Sequence, residues 1–400
     1  MLLYWVWLSE HPVLTPRQKG ILLQHFRDAE DIFFAEGDKL ESLDPQLKAA
    51  LGDKDTENAE KILRECARKD IRLMTIGDPE YPARLRNIPE PPLVLYYKGT
   101  FPAFGEQPVI GVVGTRKATP YGLTAARKIS RQIALHGGLV VSGCADGADT
   151  AAMRGAMEAG KPVVGILGNG VDVVYPPKNR DLYAEVERNG CLISEYPPGS
   201  KPERWHFPHR NRIISGIANG VLVSEAPKRS GALITAKAAM EQGRDVYVIP
   251  GNIDIPNCEG SNALLQEGAA AVFSGWDIMG EYERMYPGVV VKTLTAPEPE
   301  IRQEALLVAQ PETPLFPAQD KKDIDKSQQN SYSGIENSGF TEEEQKILSL
   351  LDSRPKHMDD VIAQARMSAG KVLSIITKLT VKGVVISHPG RMVSYRLERK

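Results

Sequence analysis

The sequence predicts an α/β protein built on a doubly wound parallel sheet, because apolar strand-like runs alternate with helix-like stretches between about residues 105 and 285. Two of these runs end in glycine-rich turns, in the segments VIGVVGTRK (109–117) and LVVSGCADGAD (139–149). Most runs are continuously apolar, as in strands that are covered on both faces. The predicted strands are 109–113, 139–142, 163–167, 191–194, 220–223, 245–249 and 271–273. The predicted helices between them are 122–136, 150–159, 179–189, 211–218, 232–242 and 261–267.

The region before this core is expected to be helical. Residues 1–70 predict a small domain of the SAM or helix-hairpin-helix kind, in which Thr15 caps a helix that begins at Pro16. Such units bind nucleic acid in some proteins, but a packing or partner module is the simpler interpretation. The apolar start (1–8) lacks a cationic segment and a cleavage site, so it predicts a buried helix rather than a signal peptide. Residues 71–104 are proline-rich and predict an extended connector with one strand near its end.

The region after the core divides into a linker and a compact tail. Residues 286–340 are rich in Pro, Gln, Ser, Asp and Lys without periodicity, which predicts a flexible linker. Residues 341–400 predict a winged-helix domain, with three helical stretches followed by two strands around the turn PGR (389–391). This architecture binds DNA in many proteins and mediates protein contacts in others.

Composition narrows the class of protein. The chain has 400 residues and a net charge of −2, so it is not basic all over, although a local basic groove is compatible with that total. Its four cysteines are far apart and have no C-x-x-C spacing, so neither a disulfide framework nor a zinc site is expected, and a cytoplasmic location fits. No run approaches the length of a membrane span. No cofactor, metal or membrane association is therefore expected.

The glycine turns predict phosphate binding, since such a turn directs backbone N–H groups and a helix N-terminus at one spot. Arg116 and Lys117 add cations to the first turn, and a third turn of this type at 230–231 has Lys228 and Lys237 nearby. Because the carboxyl ends of parallel strands meet at one edge, the turns should line one crevice. Three such turns exceed the needs of one mononucleotide and suit a chain of phosphates.

The densest motif is WHFPHRNRIISG (205–216), where two arginines and two histidines accompany Trp205 and Phe207 just before a predicted helix. Cations that hold a backbone phosphate, beside an aromatic face for a base, are typical of single-strand binding. The alternative is that Phe207 belongs to the core and Arg210 forms a structural ion pair. Lys178 follows another strand and is expected at the same rim.

Catalysis is only weakly indicated. Asp146, Asp149, Glu195 and Glu225 lie near strand ends, but no two have a spacing that demands acid–base chemistry. The chain has no G-x-x-x-x-G-K-[ST] loop and only part of a G-x-G-x-x-G pattern, so an ATPase or a nicotinamide enzyme is not expected. We therefore expect a binding protein rather than an enzyme.

Taken together, these motifs resemble the DNA-processing protein A (DprA/Smf) family over about residues 75–275. The motifs that carry the resemblance are VGTR (113–116), SGCADGAD (142–149), FPHRNRII (207–214), SGALITA (230–236), EQGRDVYVIPG (241–251) and GSNALLQEGA (260–269). Each motif alone is moderately specific, whereas the ordered set is very specific.

The resemblance implies a Rossmann-like core that binds and protects single-stranded DNA, forms a homodimer and helps to load the RecA recombinase in natural transformation. It assigns the DNA pocket to Arg116, Lys178, Arg210, Arg212 and Lys237. It also implies a dimer face in the segment 262–268, where Leu264 and Leu265 are interface residues or, alternatively, core residues. The sequence departs from the family pattern at Thr115, where Ser or Ala is common, and at Met153, where many members have histidine.

The turns and the resemblance together define one set of candidate DNA contacts. These are Gly114, Thr115, Arg116, Lys117, Ser142, Gly143, Lys178, Phe207, Arg210, Asn211, Arg212, Lys228, Ser230, Gly231 and Lys237.

Two other functions are open at this point. The fold also resembles that of nucleoside-monophosphate phosphoribohydrolases, whose P-G-G-x-G-T motif corresponds to SGALIT (230–235) here; the missing glycines and nearby acid count against hydrolysis. A regulator that binds double-stranded DNA through the winged helix is the other alternative.

Overall fold

The computed structural model of the chain describes residues 1–37, 43–293 and, in the C-terminal part, 340–395 apart from 353–355, 366, 368, 383 and 389–391. The chain divides into two compact units, Met1–Ala305 and Leu306–Lys400. In the described part of the chain, no helix is both long enough and apolar enough to cross a bilayer.

The first unit is built on a nine-stranded sheet with the order β1-β2-β6-β5-β4-β3-β7-β8-β9. The strands are β1 (Arg72–Thr75), β2 (Val94–Gly99), β3 (Val109–Val113), β4 (Leu139–Ser142), β5 (Val163–Leu167), β6 (Cys191–Ser194), β7 (Gly220–Val223), β8 (Asp245–Val248) and β9 (Ala270–Ala271). Strands β3 to β9 run parallel, which confirms the predicted doubly wound sheet. The strand order reverses at β3, and ligands of such sheets bind beside this point at the carboxyl ends of the strands.

Helices cover both faces of the sheet, and each face has its own apolar core. The helices of this unit are α1 (Leu2–Ser9), α2 (Pro16–His25), α3 (Ala29–Phe33), α4 (Pro45–Ala50), α5 (Glu57–Arg68), α6 (Ala83–Arg86), α7 (Pro120–Leu135), α8 (Ala148–Glu158), α9 (Arg180–Asn189), α10 (His206–Ile217), α11 (Gly231–Glu241), α12 (Glu259–Gln266) and α13 (Gly275–Met279). Burial of every residue in β3, β4 and β5 explains why their sequences lack alternation.

Five helices of the core, α7, α8, α10, α11 and α12, begin one to five residues earlier than predicted, and two of them show the physical reason. Helix α7 begins at Pro120 because the Thr119 hydroxyl accepts a hydrogen bond from the Gly122 N–H at 3.1 Å and so caps the helix. Helix α10 begins at His206 rather than near Asn211, because Pro208 lies in the first helical turn, where its missing N–H has no partner to lose. The arginines of the dense motif therefore lie on the helix and not before it.

The proline-rich segment 71–104 differs from the expected connector. It contributes β1 and β2, which pair antiparallel with each other and with β6 and so extend the sheet at one edge. The Tyr81 hydroxyl donates to the Pro92 carbonyl at 2.7 Å and closes the loop between the two strands. The prolines shape this loop while the strands on either side complete the core.

The N-terminal helices also belong to the core of the sheet. Trp5, Val6 and Leu8 are buried in α1, as predicted, and they share one apolar cluster with Tyr96 of β2. The ammonium of Lys69, just after α5, pairs with the Asp172 carboxylate at 2.7 Å. The expected separate helical domain is thus packed against one face of the sheet.

Residues 286–293 differ from the start of a flexible linker. Val290 is buried, and the Thr293 N–H donates to His136 Nδ1 at 3.2 Å. The remainder of the expected linker, 294–339, lies outside the described residues.

The second unit confirms the expected winged helix. It contains α14 (Glu342–Leu350), α15 (Met358–Ala365) and α16 (Ala369–Val381) around a core that includes Ile347, Val361, Val372, Leu379 and Val393. Three short strands, β10 (Lys356–His357), β11 (Val385–His388) and β12 (Met392–Tyr395), pair in the order β10-β12-β11. The predicted turn at 389–391 lies outside the described residues.

Candidate nucleic-acid interface

Three turns at the carboxyl ends of neighbouring strands form one small pocket. Gly143 follows β4, Gly168 follows β5, and Arg116 extends from the turn after β3. The pocket lining consists of Arg116, Gly143, Ala145, Asp146, Gly168, Asn169, Tyr175, Pro176, Tyr183 and Phe207. The fold therefore joins the first two glycine turns to Phe207, as the sequence predicts.

The glycines of these turns permit close packing of backbone segments. A Cβ atom at Gly114 would lie 2.5 Å from the Ala148 Cβ atom, and one at Gly143 would lie 2.6 Å from Asp149 Oδ2. Both distances are well inside van der Waals contact. Glycine is therefore required here for packing between turns, whatever ligand the pocket binds.

The backbone N–H groups of the turns are largely satisfied within the protein, contrary to the expected open phosphate nests. The Thr115 N–H donates to the Glu225 carbonyl at 2.7 Å, and the Gly143 N–H donates to Asp149 Oδ2 at 3.1 Å. In the third turn, the Ser230 hydroxyl accepts from the Ala232 N–H at 3.3 Å. The positive character of the pocket therefore depends mainly on side-chain cations.

Arg116 and Phe207 form the arrangement in the pocket that is best suited to contact a ligand. The Arg116 guanidinium lies 5.1 Å from the centroid of the Phe207 ring, within cation–π range. The Tyr175 ring lies 5.4 Å from the Phe207 ring at an interplanar angle of 35°. Since Arg116 is exposed, an exposed cation and an aromatic face meet at one mouth.

Lys178 is at the rim of the same pocket, as predicted. Its side chain is 70% exposed and its ammonium lies 3.0 Å from Asp146 Oδ2. The second carboxylate oxygen of Asp146 is buried and has no hydrogen-bond partner. A carboxylate beside a cation opposes the binding of an anion there, so Asp146 lowers the positive potential of the rim.

Arg210 lies beneath the pocket rather than at its surface. It is only 4% exposed, and Nη1 donates to the carbonyl oxygens of Gly143, at 3.0 Å, and Ile166. Its Nε donates to the Asn211 amide oxygen at 3.1 Å. Burial raises the pKa of the neighbouring Asp149, although Arg210 opposes that shift. This burial does not support the predicted direct DNA contact of Arg210, whose guanidinium instead joins the turn after β4 to the carboxyl end of β5.

Arg212 faces a different recess. Its guanidinium makes two bonds to the Glu195 carboxylate, at 3.1 and 2.7 Å, and His209 Nδ1 lies 3.1 Å from the same carboxylate. Although burial raises the pKa of Glu195, His209 and Arg212 hold it below its usual range. Arg212 and Glu195 line a groove beside α2, away from the Phe207 pocket. The structure does not bring Arg212 together with Arg116.

The hydroxyl and amide candidates mainly have structural partners. Ser142 is buried and donates to the Val112 carbonyl at 2.6 Å. Asn211 donates to the Gly231 carbonyl at 3.2 Å and so joins α10 to the start of α11. These contacts shape the crevice and leave little capacity for a ligand.

The remaining cations are exposed. Lys117 lies in the first turn, Lys228 lies 3.4 Å from Glu259, and Lys237 lies 3.8 Å from Glu241. Exposed pairs of this kind are weak and exchange readily for a phosphate. Lys228 and Lys237 belong to the elements that follow β7, on the other side of β3 from the Phe207 pocket.

Leu264 and Leu265 were candidates for a dimer face. Leu264 is 6% exposed and belongs to the core of the sheet, and Leu265 is partly buried against the same core. Leu264 therefore packs mainly within one chain, which is the alternative that the sequence left open, and the dimer face at 262–268 stays a prediction.

Sequence reasoning missed several pocket residues. Gly168, Asn169 and Tyr175 line the pocket, although the sequence motifs point only to the turns after β3 and β4 and to the turn at 230–231. The signal was present, because GNG (168–170) directly follows the predicted strand 163–167. A third strand that ends in glycine should have been grouped with the first two.

The carboxylates near the strand ends serve the framework. Glu225 is fully buried and accepts hydrogen bonds from the backbone N–H, at 2.8 Å, and the hydroxyl of Thr119. It therefore holds the start of α7. Among the described residues, no group of three or more His, Cys, Asp or Glu side chains is arranged to hold a metal ion.

Comparisons with known proteins identify the two units. Residues 72–283 match the family described as DNA recombination-mediator protein A, and residues 336–391 match the DprA winged helix domain. The chain is 33% identical over 399 residues to Protein Smf of Synechocystis sp., a match that covers 97% of each chain. It is 41% identical over 209 residues to DNA processing protein DprA of Streptococcus pneumoniae, covering 52% of this chain and 73% of that protein.

A solved structure agrees with these matches. The X-ray structure of DNA processing protein A (DprA) from Streptococcus pneumoniae superposes with a TM-score of 0.63 at 33% identity, covering 70% of this chain and 98% of that one. The family match spans more than half of the chain, and the matched segment contains the whole pocket. The chain belongs to the DNA recombination-mediator protein A (DprA/Smf) family.

Proposed function

We propose that the chain binds single-stranded DNA in the crevice formed by the glycine turns. The observation that carries this proposal is the pairing of the Arg116 guanidinium with the Phe207 ring, 5.1 Å apart at the pocket mouth. A cation at this position holds a backbone phosphate while the aromatic side chains receive a base. Membership of a DNA recombination-mediator family supports DNA as the ligand.

The size of the pocket favours a strand over a free nucleotide. Its volume is about 40 Å³, far below the roughly 300–1,000 Å³ of pockets that enclose a small-molecule ligand. A base therefore rests at the mouth and its backbone continues along the surface. Duplex DNA presents its bases stacked and paired, so reaching Phe207 requires an unpaired strand.

Further cations extend the site along the carboxyl edge of the sheet. Lys117 and Lys178 flank the pocket, and Lys228 and Lys237 continue on the far side of β3. Phosphates spaced along a strand can contact these cations in turn, whereas a mononucleotide reaches only one or two of them. The proposal thus concerns a strand several nucleotides long.

We propose a binding protein rather than an enzyme. Of the carboxylates closest to the crevice, Asp149 accepts backbone N–H groups and Glu225 binds Thr119, so neither is free to act as an acid or base. Asp146 lines the pocket itself, where one of its oxygens pairs with the Lys178 ammonium at 3.0 Å. The competing function is nucleotide hydrolysis, and release of a free base from nucleoside monophosphates would support it.

Within this role, we propose that the protein acts in the cytoplasm as a homodimer and delivers the bound strand to the RecA recombinase in natural transformation. Family membership supports this proposal. Large exposed apolar side chains near the β9 edge of the sheet, Ile253 and Phe273, suit self-association better than the buried Leu264.

The test is a titration of labelled single- and double-stranded oligonucleotides at several salt concentrations. Arg116→Glu is the test variant, and Arg188→Glu is the matched control, since Arg188 is exposed near the amino end of β6, opposite the crevice. We expect single-strand preference, near loss of binding only in Arg116→Glu, and a log–log salt slope of about −0.7 per phosphate contact.

Two outcomes would contradict the proposal. If Arg116→Glu and Arg188→Glu lose DNA affinity equally, the effect is a nonspecific effect of charge rather than evidence for a site at Arg116. Loss of all binding when the second unit is removed would place the DNA on the winged helix instead.

A further inference from the structure

Trp205 is an exposed indole that the pocket described above does not use. Its exposed fraction is 60%, whereas Trp5 and Trp7 are each only 4% exposed. It directly precedes α10 and lies two residues from Phe207. A large aromatic ring left in water beside a binding pocket is a candidate contact surface.

The indole is held in place by its neighbours. Its Nε1–H donates to Glu203 Oε2 at 2.6 Å, and its ring lies 4.1 Å from the His206 ring at an interplanar angle of 72°. The His206 ring stacks on Tyr196 at 3.8 Å, and His206 Nδ1 donates to the Gly168 carbonyl at 3.0 Å. Trp205 is thus connected rigidly to a turn that lines the Phe207 pocket.

Trp205 is close to residues of two recesses of the protein. Phe207, two residues along the chain, lines the small pocket, and the His209 ring centroid is 6.4 Å from that of Trp205. His209 lines a larger groove of about 420 Å³ between α2, residues 89–94 and the end of β6. Arg17 and Lys19 lie along this groove; Arg17 is exposed, whereas the Lys19 ammonium donates to the Ser9 carbonyl. An exposed cation, Arg17, therefore lies along the groove beyond the indole.

We propose that Trp205 is a second base-stacking subsite, over which a single strand passes from the Phe207 pocket towards the groove lined by Arg17 and Lys19. This inference rests on the proposed single-strand function. The indole supplies a face for a base while the exposed Arg17 receives a phosphate beyond it. The Glu203 carboxylate repels phosphate from the edge of the indole that it binds, which favours a base at the exposed surface.

The test compares short and long oligothymidylates, of about 4 and about 16 nucleotides, which span the usual range of single-strand site sizes. The variants are Trp205→Ala and Trp205→Phe, with Phe34→Ala as the matched control because Phe34 is a 61% exposed aromatic residue on the N-terminal helices. Fluorescence anisotropy measures affinity, and quenching of intrinsic tryptophan fluorescence reports on base stacking. Thermal unfolding verifies that each variant is folded.

We expect Trp205→Ala to weaken binding of the long strand about tenfold and leave the short strand unchanged, since stacking on one aromatic residue has about this effect. Trp205→Phe should retain most of the affinity for the long strand. In the wild type, only the long strand should quench the fluorescence of Trp205, and Trp205→Ala should not show this quenching. Unchanged long-strand affinity in Trp205→Ala, or an unquenched indole, would overturn the inference. If Arg116→Glu then still loses binding to both the short and the long strand, the proposed single-strand function stands without a subsite at Trp205.

Discussion

Arg210 Nη1 donates a hydrogen bond to the Gly143 carbonyl oxygen at 3.0 Å, so the dense motif on α10 and the turn after β4 are one structural unit. Arg210 therefore shapes the surface on which Arg116 acts, although it does not reach that surface itself. The sequence predicts the same role for both arginines, but we expect Arg210 to affect mainly stability and Arg116 to affect mainly binding.

Arg210→Ala should destabilise the first unit by about 3 kcal/mol, because it leaves two buried carbonyl groups and Asp149 without their cation. Urea denaturation monitored by circular dichroism measures the change. Arg116→Ala is the control, and its free energy of unfolding should match the wild type because Arg116 is exposed. A variant of Arg210 that is fully stable but deficient in DNA binding would indicate direct contact with the strand.

Asp146→Asn should tighten single-strand binding about threefold, since removing this charge frees Lys178 from an exposed ion pair of 3.0 Å. Asparagine keeps the shape of the side chain and removes only its charge. Glu106→Gln changes the net charge equally at an exposed position just before β3, at the opposite end of the strands, and should have no effect. Anisotropy titrations at low salt measure the affinity of both variants. Weaker binding by Asp146→Asn would disprove the idea that the Asp146 charge opposes DNA binding.

Glu195 should make the stability of the first unit sensitive to acid. Its pKa is lowered in the folded state, so its contribution is complete above the unfolded pKa and disappears as pH falls through the folded value. The wild type should therefore lose this contribution only below pH of about 4. Arg212→Met should cost about 3 kcal/mol near neutral pH, because it leaves the buried Glu195 carboxylate without one of its two cationic partners. The deficit relative to the wild type should shrink as pH falls, because protonation of Glu195 removes the charge that Arg212 stabilises.

Urea denaturation of Arg212→Met at several pH values tests this prediction. Lys237→Met removes an exposed cation whose partner lies 3.8 Å away, and it should behave as the wild type. Parallel pH profiles for the wild type and Arg212→Met would rule out the coupling between Arg212 and Glu195.

Leu264→Ala should destabilise the protein by about 2–5 kcal/mol without a specific effect on self-association, because this side chain is in the core. Phe273→Ala, at a 76% exposed position, should leave stability unchanged and weaken any dimer. Sedimentation equilibrium and urea denaturation measure the two effects. If Leu264→Ala dissociates a dimer while the protein stays fully stable, the result would support the dimer face that the family resemblance implies.

Local sequence signals were sufficient for the parallel strands, the turns and the winged helix. Continuous runs such as 109–113 and 139–142 are fully buried strands, and Thr15 caps α2 as predicted. The role of β1 and β2 was missed because pairing with β6 is a long-range contact. Prolines in the loop between them concealed that pairing.

The sequence by itself determined which elements form and which strands end in glycine, since hydrophobic periodicity and backbone freedom depend on neighbouring residues. Only the tertiary structure decided which polar groups remain open to a ligand. Asp149 fills the turn after β4, Arg210 is buried and Arg116 is exposed, although all three belong to motifs of similar polarity. Burial and hydrogen bonding depend on segments far apart in the chain, so the composition of a motif does not reveal which of its charges face solvent.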